Sequence, residues 1–173
     1  IAAPSDENEC RMLLSTCYHL NQPSAVRYPR GSGTGVEAGK DLQTVPVGKG
    51  VVRKQGEKIA ILAFGSMVAP SLQAASVLNV TVADMRFVKP LDEALIQELA
   101  ASHDYLITVE ENAVQGGAGS AVLEYMARQK ICKPILNIGI ADVVTEHGDP
   151  AAILADLGLN AAGIEAAIRE FTA

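Results

Sequence analysis

Aromatic residues are scarce in this sequence of 173 residues. Tryptophan is absent and aromatics make up only 4% of the chain, whereas hydrophobic residues of all kinds make up 49%. A buried core must therefore consist mainly of Val, Ile, Leu and Ala. Such an aliphatic core is typical of a parallel sheet that helices cover on both faces.

Cysteine is scarce as well. The three cysteines, Cys10, Cys17 and Cys132, are odd in number and lack the spacing of a metal site. The three histidines also stand at unrelated spacings, so the sequence predicts neither a zinc site nor a disulfide framework. We expect reduced thiols, which are typical of a cytoplasmic protein.

Positive charge is in deficit, since 14 Lys and Arg stand against 20 Asp and Glu. The resulting net charge of −6 argues against a nucleic-acid or anionic-membrane partner. No run approaches the roughly 18 apolar residues of a membrane span, and the first residues do not resemble a signal peptide. Any anion-binding site must therefore be local.

Strand-like and helix-like segments alternate along residues 47–173. The strand-like segments are 47–53, 58–64, 80–86, 105–109 and 134–138, and the helix-like segments are 68–78, 92–103, 118–130, 150–157 and 161–171. This alternation predicts an α/β fold with a mostly parallel sheet and helices on both faces. The short connection 54–57 predicts a hairpin of the first two strands, which supplies one antiparallel edge strand.

The first 46 residues follow a different pattern. Ser5 is the expected N-cap of a helix that reaches about Leu20, and residues 24–28 resemble a short strand. Residues 31–46 are rich in glycine and polar residues and predict a linker. Residues 1–30 therefore resemble the last αβ unit of another domain. We expect these residues to pack on sequence that precedes this chain.

Two segments at strand ends offer candidate chemistry. The glycine-rich stretch "AVQGGAGSAV" (113–122) lacks the third glycine of a dinucleotide fingerprint and the lysine of a P-loop, which favours a purely structural turn. Glu110 and Glu111 lie at the end of a predicted strand without a nucleophile pattern nearby. We favour an interface or loop-anchoring role for them over acid–base catalysis.

Arg27 and Arg30, in "SAVRYPRGSG" (24–33), are the strongest candidates for anion binding. They follow a strand-like run and flank the rigid Pro29. A guanidinium fixed in this way suits bidentate binding of a phosphate. Ordinary surface charges or ion pairs are the alternative interpretation of both residues.

Five motifs occur in the order and spacing of a known family. They are "PSDENE" (4–9), "PSAVRYPRG" (23–31), "DMRFVKPLDEALI" (84–96), "VEENAVQGGAGSAV" (109–122), and "LNIGIAD" with "EHG" (136–148). Together they resemble the C-terminal part of the 1-deoxy-D-xylulose-5-phosphate synthase family, which comprises bacterial and plastid enzymes of the transketolase type. The resemblance covers essentially the whole chain.

The resemblance implies a transferase that condenses pyruvate with glyceraldehyde 3-phosphate and releases CO2, the first step of a non-mevalonate route to isoprenoids. It implies thiamine diphosphate and Mg²⁺ as cofactors, a bacterial cytoplasmic location and a homodimer. It also implies that residues 1–30 end the pyrimidine-binding domain, that 31–46 form a linker and that 47–173 form the transketolase-type C-terminal domain. Arg30 matches the family's substrate-phosphate ligand. Arg27 is a less certain ligand that could instead brace the strand end.

The family's activating glutamate, metal motif and thiazolium-side histidines have no counterpart in this sequence. We therefore expect no catalytic, cofactor or metal residue within the chain, and we expect the chain alone to be inactive. Two alternatives stay open. The chain could belong to another thiamine enzyme, such as transketolase or a ketoacid dehydrogenase β subunit. Its C-terminal domain could also be an interaction module without chemistry that serves the dimer interface.

Overall fold

The computed structural model describes all residues from Ile1 to Ala173. The helices are α1 (Glu7–His19), α2 (Val68–Leu78), α3 (Glu93–Ser102), α4 (Ala118–Gln129), α5 (Pro150–Asp156) and α6 (Ala161–Phe171). The strands are β1 (Val51–Lys54), β2 (Ile59–Ala63), β3 (Thr81–Asp84), β4 (Tyr105–Ala113) and β5 (Ile135–Ile140). A 3-10 turn, Gly65–Met67, connects β2 to α2.

The five strands form one sheet in the order β1-β3-β2-β4-β5. The pairs β2–β3, β2–β4 and β4–β5 are parallel, and only β1 is antiparallel, at one edge. The predicted α/β fold with one antiparallel edge strand is confirmed. Helices α3 and α4 cover one face of the sheet, and α2 and α6 cover the other.

The predicted hairpin of β1 and β2 is wrong, because β1 pairs with β3. The connection between β1 and β2 crosses the end of β3, where Gly56 lies against the backbone of Val80 and its N–H donates to Thr81 Oγ1. The sequence of β2, "IAILA", is apolar throughout and mostly buried. Such a strand is typical of a central position between two parallel neighbours, here β3 and β4. Strand β1 therefore lies at the edge, beyond β3.

Neighbouring residues of β2 serve the two faces of the core. Ile61 packs with Val82 and Ile164 beneath α2 and α6, while Leu62 packs with Met85 beneath the other helix pair. This alternation follows from the period of two along a strand. The sheet is thus buried on both faces, as the aliphatic composition predicts.

The Pro150–Phe171 stretch is long and apolar enough to cross a membrane by length and composition alone. In the fold it comprises two helices that a turn at Gly158, with φ of +72°, separates. Ile164 and Ile168 of α6 are fully buried against the sheet. This stretch therefore contributes to the core of the domain.

The N-terminal segment packs on the sheet domain at the carboxyl end of β3. Ala2 forms a parallel bridge with Val26 and an antiparallel bridge with Phe87, and these residues pack with the buried Leu13 of α1. The strand predicted at 24–28 is reduced to that one bridge. The expectation that residues 1–30 pack on preceding sequence was incomplete, because they also bury Phe87 of the sheet domain.

Residues 31–46 contain no helix or strand, as predicted, yet they are attached to α1. We call residues 33–45 the strap. Polar side chains along α1 bind it by hydrogen bonds to Thr34, Gly35, Gly39, Lys40, Leu42 and Val45. The residues of α1 that make these contacts are Glu7, Asn8, Arg11, Ser15 and Thr16. The linker therefore runs along the helix instead of spanning open solvent.

Candidate functional site

Arg27 lies at the carboxyl edge of the sheet, where parallel α/β sheets commonly bind ligands. Its backbone N–H donates to the carbonyl of Ala2 at 2.8 Å. Its Nη2 donates to the backbone carbonyl of Glu111 at 2.7 Å, and its Nη1 lies 4.0 Å from the Glu111 carboxylate. These contacts brace the end of the strand-like segment, and binding of a substrate phosphate by Arg27 stays a prediction.

Glu111 is held in place from a second direction. The hydroxyl of Ser66, in the turn after β2, donates a hydrogen bond to Glu111 Oε2. Glu111 thus joins three segments at the sheet edge, namely β4, the turn after β2 and the strand-like end at Arg27. These contacts anchor loops, which is one of the two roles, interface or loop anchoring, that the sequence favoured for this residue.

Arg30 is exposed and forms no ion pair or side-chain hydrogen bond in the structure. Its neighbours Tyr28, Pro29 and Gly31 line a cavity of about 460 Å³ between the start of α1 and the loop of residues 28–34. Ser66 lines the same cavity. Unlike Arg27, Arg30 keeps all its guanidinium donors available for a ligand.

The far end of the same loop is held by Glu7, in the first turn of α1. Its carboxylate accepts from the Gly35 N–H at 2.7 Å and from Thr34 Oγ1 at 2.9 Å. The bond from the Gly35 N–H contributes most to lowering the pKa of Glu7 below its ordinary value of 4.5. Gly33 allows this approach, since a Cβ at that position would overlap the Glu7 carboxylate.

The glycine-rich turn before α4 has no free anion site. The carboxylate of Glu110 accepts from the N–H groups of Ala118 and Gly119, each at 2.8 Å. These are the donors that would otherwise face a phosphate at a helix N-terminus. Gly117 permits the contact, because a Cβ there would overlap the Glu110 carboxylate and the Ala113 carbonyl. The structural interpretation of this turn is confirmed.

The residues of this chain do not fit thiamine diphosphate with Mg²⁺. The turn suited to a diphosphate is closed by Glu110. No group of three or more His, Cys, Asp and Glu side chains is arranged to hold a metal ion. Cys10, which lines the cavity, is not activated either, because burial and nearby Asp6 raise the pKa of its thiol.

A buried ionic network beneath this site was missed in the sequence analysis. Glu9 of α1, only 2% exposed, accepts from Arg53 Nη2 at 2.5 Å and from Arg86 Nη2 at 2.6 Å. Arg53 also donates to Asp84 Oδ2 at 2.9 Å. Two carboxylates and two guanidinium groups therefore neutralise one another between α1 and the sheet.

Ser5 belongs to this network and is not the N-cap of α1. Its hydroxyl donates to Asp84 Oδ2 at 2.8 Å, and Asp6 caps the helix by accepting from the Glu9 N–H. Burial raises the pKa of Asp84, although bonds from Arg53 and Ser5 oppose the shift. The only sequence signal was a pair of arginines, Arg53 in the edge strand β1 and Arg86 two residues after the apolar strand β3.

The protein-family model described as "Transketolase, C-terminal domain" matches residues 48–164. The 1-deoxy-D-xylulose-5-phosphate synthase of Neisseria gonorrhoeae is 63% identical over 171 residues, which cover 99% of this chain and 27% of the relative. The synthase of Shewanella amazonensis is 63% identical over 172 residues, which cover 99% of this chain and 28% of the relative.

Among solved structures, a chain described as "Split gene transketolase, inactive beta4 tetramer" matches with a TM-score of 0.81 and 29% sequence identity. The match covers 98% of this chain and 55% of that chain. The resemblance noted from the five motifs is thereby confirmed. The chain spans about a quarter of the length of the curated relatives it matches. The family model covers more than half of its residues, and the chain therefore belongs to the transketolase C-terminal domain family.

Proposed function

We propose that this chain is the C-terminal portion of a 1-deoxy-D-xylulose-5-phosphate synthase, in which Arg30 binds the phosphate of glyceraldehyde 3-phosphate. The availability of Arg30 supports this role most directly. Its guanidinium has no protein partner and its neighbours Pro29 and Gly31 line a cavity, whereas nearby Arg27 is already bound to Glu111. The identity to synthases over nearly the whole chain supports the assignment over other thiamine enzymes.

In this proposal the complete polypeptide joins pyruvate to the aldehyde with loss of CO2. Thiamine diphosphate would supply the carbanion chemistry, and Mg²⁺ would accompany its diphosphate. The rest of the polypeptide would hold both, because the residues of this chain do not fit them. The contribution of this chain is to bind and orient the phosphorylated aldehyde.

We further propose a homodimeric enzyme in the bacterial cytoplasm. The absence of a disulfide among the three cysteines is compatible with a reducing compartment. Sedimentation of the full-length polypeptide measures the oligomeric state directly. A monomer at the concentrations used for activity assays would contradict the dimer.

Substitution of Arg30 tests the proposed function. In the full-length enzyme, Arg30→Ala should raise KM for glyceraldehyde 3-phosphate far more than KM for pyruvate. Loss of a charge-assisted contact of about 2–4 kcal/mol corresponds to a change of about 30- to 1000-fold. Arg30→Lys should give an intermediate value, because an ammonium keeps the charge but not the planar fork.

Arg128→Ala serves as the matched control, since Arg128 is an exposed arginine of α4 that pairs with Glu93. This control should keep the KM values of both substrates. Unchanged aldehyde kinetics in Arg30→Ala would contradict the assignment of the phosphate ligand. Full-length protein that forms no 1-deoxy-D-xylulose 5-phosphate from the two substrates would contradict the assignment of the reaction.

A further inference from the structure

We propose that Glu111 is a positioning residue for phosphate recognition, which acts by fixing Arg27 and, through Arg27, the loop of residues 28–34 that carries Arg30. This inference rests on the proposed function of Arg30. It assigns to the transketolase-type domain a part in substrate selection, although Glu111 does not itself contact the substrate.

The first step is the attachment of Arg27. Its backbone is bound to Ala2, and its side chain is bound to the Glu111 carbonyl at 2.7 Å with the carboxylate 4.0 Å away. These contacts fix both the position and the direction in which the chain enters the loop. The loop begins at the next residue, Tyr28, and Arg30 lies only three residues beyond Arg27.

The second step is the rigidity of Glu111 itself. It lies in an irregular part of β4 between Val109 and Ala113, and both of these residues pair with β5. Ser66 binds its carboxylate, and the preceding Glu110 is bound to the first N–H groups of α4. The side chain of Glu111 is only 22% exposed. The anchor is therefore part of the folded domain and moves with it.

The third step is the loop's own lack of backbone support. No backbone–backbone hydrogen bond connects residues 28–34 to each other or to the rest of the chain. The loop is instead attached at its two ends, by Arg27 to Glu111 and by Thr34 and Gly35 to Glu7. The location of Arg30 is consequently determined by these side-chain contacts. Displacement of a ligand by even about 1 Å can weaken recognition strongly.

The alternative role for Arg27, direct binding of the phosphate, makes the opposite prediction for Glu111. If Arg27 were the ligand, loss of the Glu111 carboxylate would remove a competing negative charge 4.0 Å from its guanidinium and would strengthen phosphate binding, although the bond to the Glu111 carbonyl stays. If Arg27 positions the loop, loss of that carboxylate weakens binding. Glu111 variants therefore distinguish the two roles, whereas Arg27 variants alone do not.

The experiment compares Glu111→Ala and Glu111→Gln in the full-length enzyme, with Glu124→Gln as control. Glu124 is an exposed glutamate of α4 without a hydrogen bond or ion pair. The measured quantity is the ratio of kcat/KM for glyceraldehyde 3-phosphate to kcat/KM for unphosphorylated glyceraldehyde. A general loss of structure lowers both values, whereas a misplaced Arg30 lowers the ratio. The inhibition constant of inorganic phosphate gives a second, binding-only measurement.

We expect Glu111→Ala to lower the ratio about tenfold, because both the ion pair and the Ser66 contact are lost. Glu111→Gln, which keeps an oxygen for Ser66, should lower it about threefold. Arg27→Ala combined with Glu111→Ala should be no worse than Arg27→Ala alone, since the two residues act as one unit.

The outcomes separate this inference from the proposed function. A reduced ratio in the Glu111 variants and in Arg30→Ala supports both. A ratio reduced in Arg30→Ala but equal to the control in the Glu111 variants overturns the positioning role alone. A ratio that rises in Glu111→Ala also overturns it, in favour of Arg27 as ligand. An unchanged ratio in Arg30→Ala overturns the phosphate contact and the positioning role together.

Discussion

Three glutamates near the carboxyl edge of this sheet accept hydrogen bonds from neighbouring segments. Glu110 occupies the N-terminus of α4, Glu111 binds Arg27 and Ser66, and Glu7 binds Thr34 and Gly35. The sequence favoured an interface or loop-anchoring role for the first two, because they end a predicted strand without a nucleophile nearby. The role of Glu7 did not follow, since its partners lie 27 and 28 residues away. An acidic residue in a first helical turn suggests only a dipole contact.

The lowered pKa of Glu7 predicts a pH-dependent attachment of the strap. Hydrogen bonds from Gly35 and Thr34 favour the charged carboxylate. The stabilisation is therefore fully present above the ordinary pKa of 4.5 and is lost as pH falls through the lower folded value. The Gly35 amide resonance should shift with a midpoint below 4.5 in an NMR titration.

Glu7→Gln is the control for this titration and should abolish the shift of the Gly35 amide. Asn8 binds the strap at Gly39 without a titratable group, so the Gly39 amide should not follow the same midpoint. A Gly35 midpoint at or above 4.5 in the unaltered protein would contradict the contact.

Among the helices and strands, most positions followed from hydrophobic periodicity. The sequence predicted α2 and α6 at their observed bounds and placed β4 and β5 correctly to within a few residues. Strand pairing was harder to predict from the sequence, since the partner of β1 depends on how Gly56 packs against Val80. The packing of α1 on the sheet was harder still to predict. Its buried Glu9 resembles a surface glutamate in sequence, and its partners Arg53 and Arg86 lie 44 and 77 residues away.

The Glu9 network should stabilise the contact between α1 and the sheet. Glu9→Gln leaves Arg53 and Arg86 without their shared carboxylate in a buried site, and we expect a loss of about 3 kcal/mol in the free energy of unfolding. Urea denaturation of the protein measures this loss. Glu165→Gln, which breaks an exposed pair with Arg169 on α6, should cost less than about 0.5 kcal/mol.

An equal and small cost for Glu9→Gln and Glu165→Gln would contradict the structural importance of the network. A Glu9→Leu variant adds a further check. Apolar residues can replace a buried charge cluster when all its members change together, but the loss of one member leaves the others uncompensated. Replacing Glu9 alone with leucine should be at least as destabilising as Glu9→Gln.

At the scale of the whole molecule, residues 1–46 and the sheet domain form one packed structure. Ala2 and Leu13 cover Phe87, and α1 supplies the carboxylate that pairs with Arg53 and Arg86. The division into residues 1–30, 31–46 and 47–173 stays a prediction about the longer polypeptide. The contacts across that division could not be predicted, since they join segments that sequence patterns assign to different domains.

Removal of residues 1–46 should therefore destabilise the sheet domain. A polypeptide of residues 47–173 would expose Phe87, which is 2% exposed here, and leave Arg53 and Arg86 without Glu9. We expect its Tm to be lower than that of residues 1–173 by about 10 °C. Equal Tm values for the two polypeptides in scanning calorimetry would contradict the packing of α1 on the sheet.

The preference for a phosphorylated substrate tests the central claim most directly. The ratio of kcat/KM for glyceraldehyde 3-phosphate to that for glyceraldehyde should fall by about 30-fold or more in full-length Arg30→Ala, because only the phosphorylated substrate uses the guanidinium. Arg128→Ala should keep the ratio of the unaltered enzyme. A ratio that stays the same in Arg30→Ala would contradict the claim that Arg30 binds the substrate phosphate.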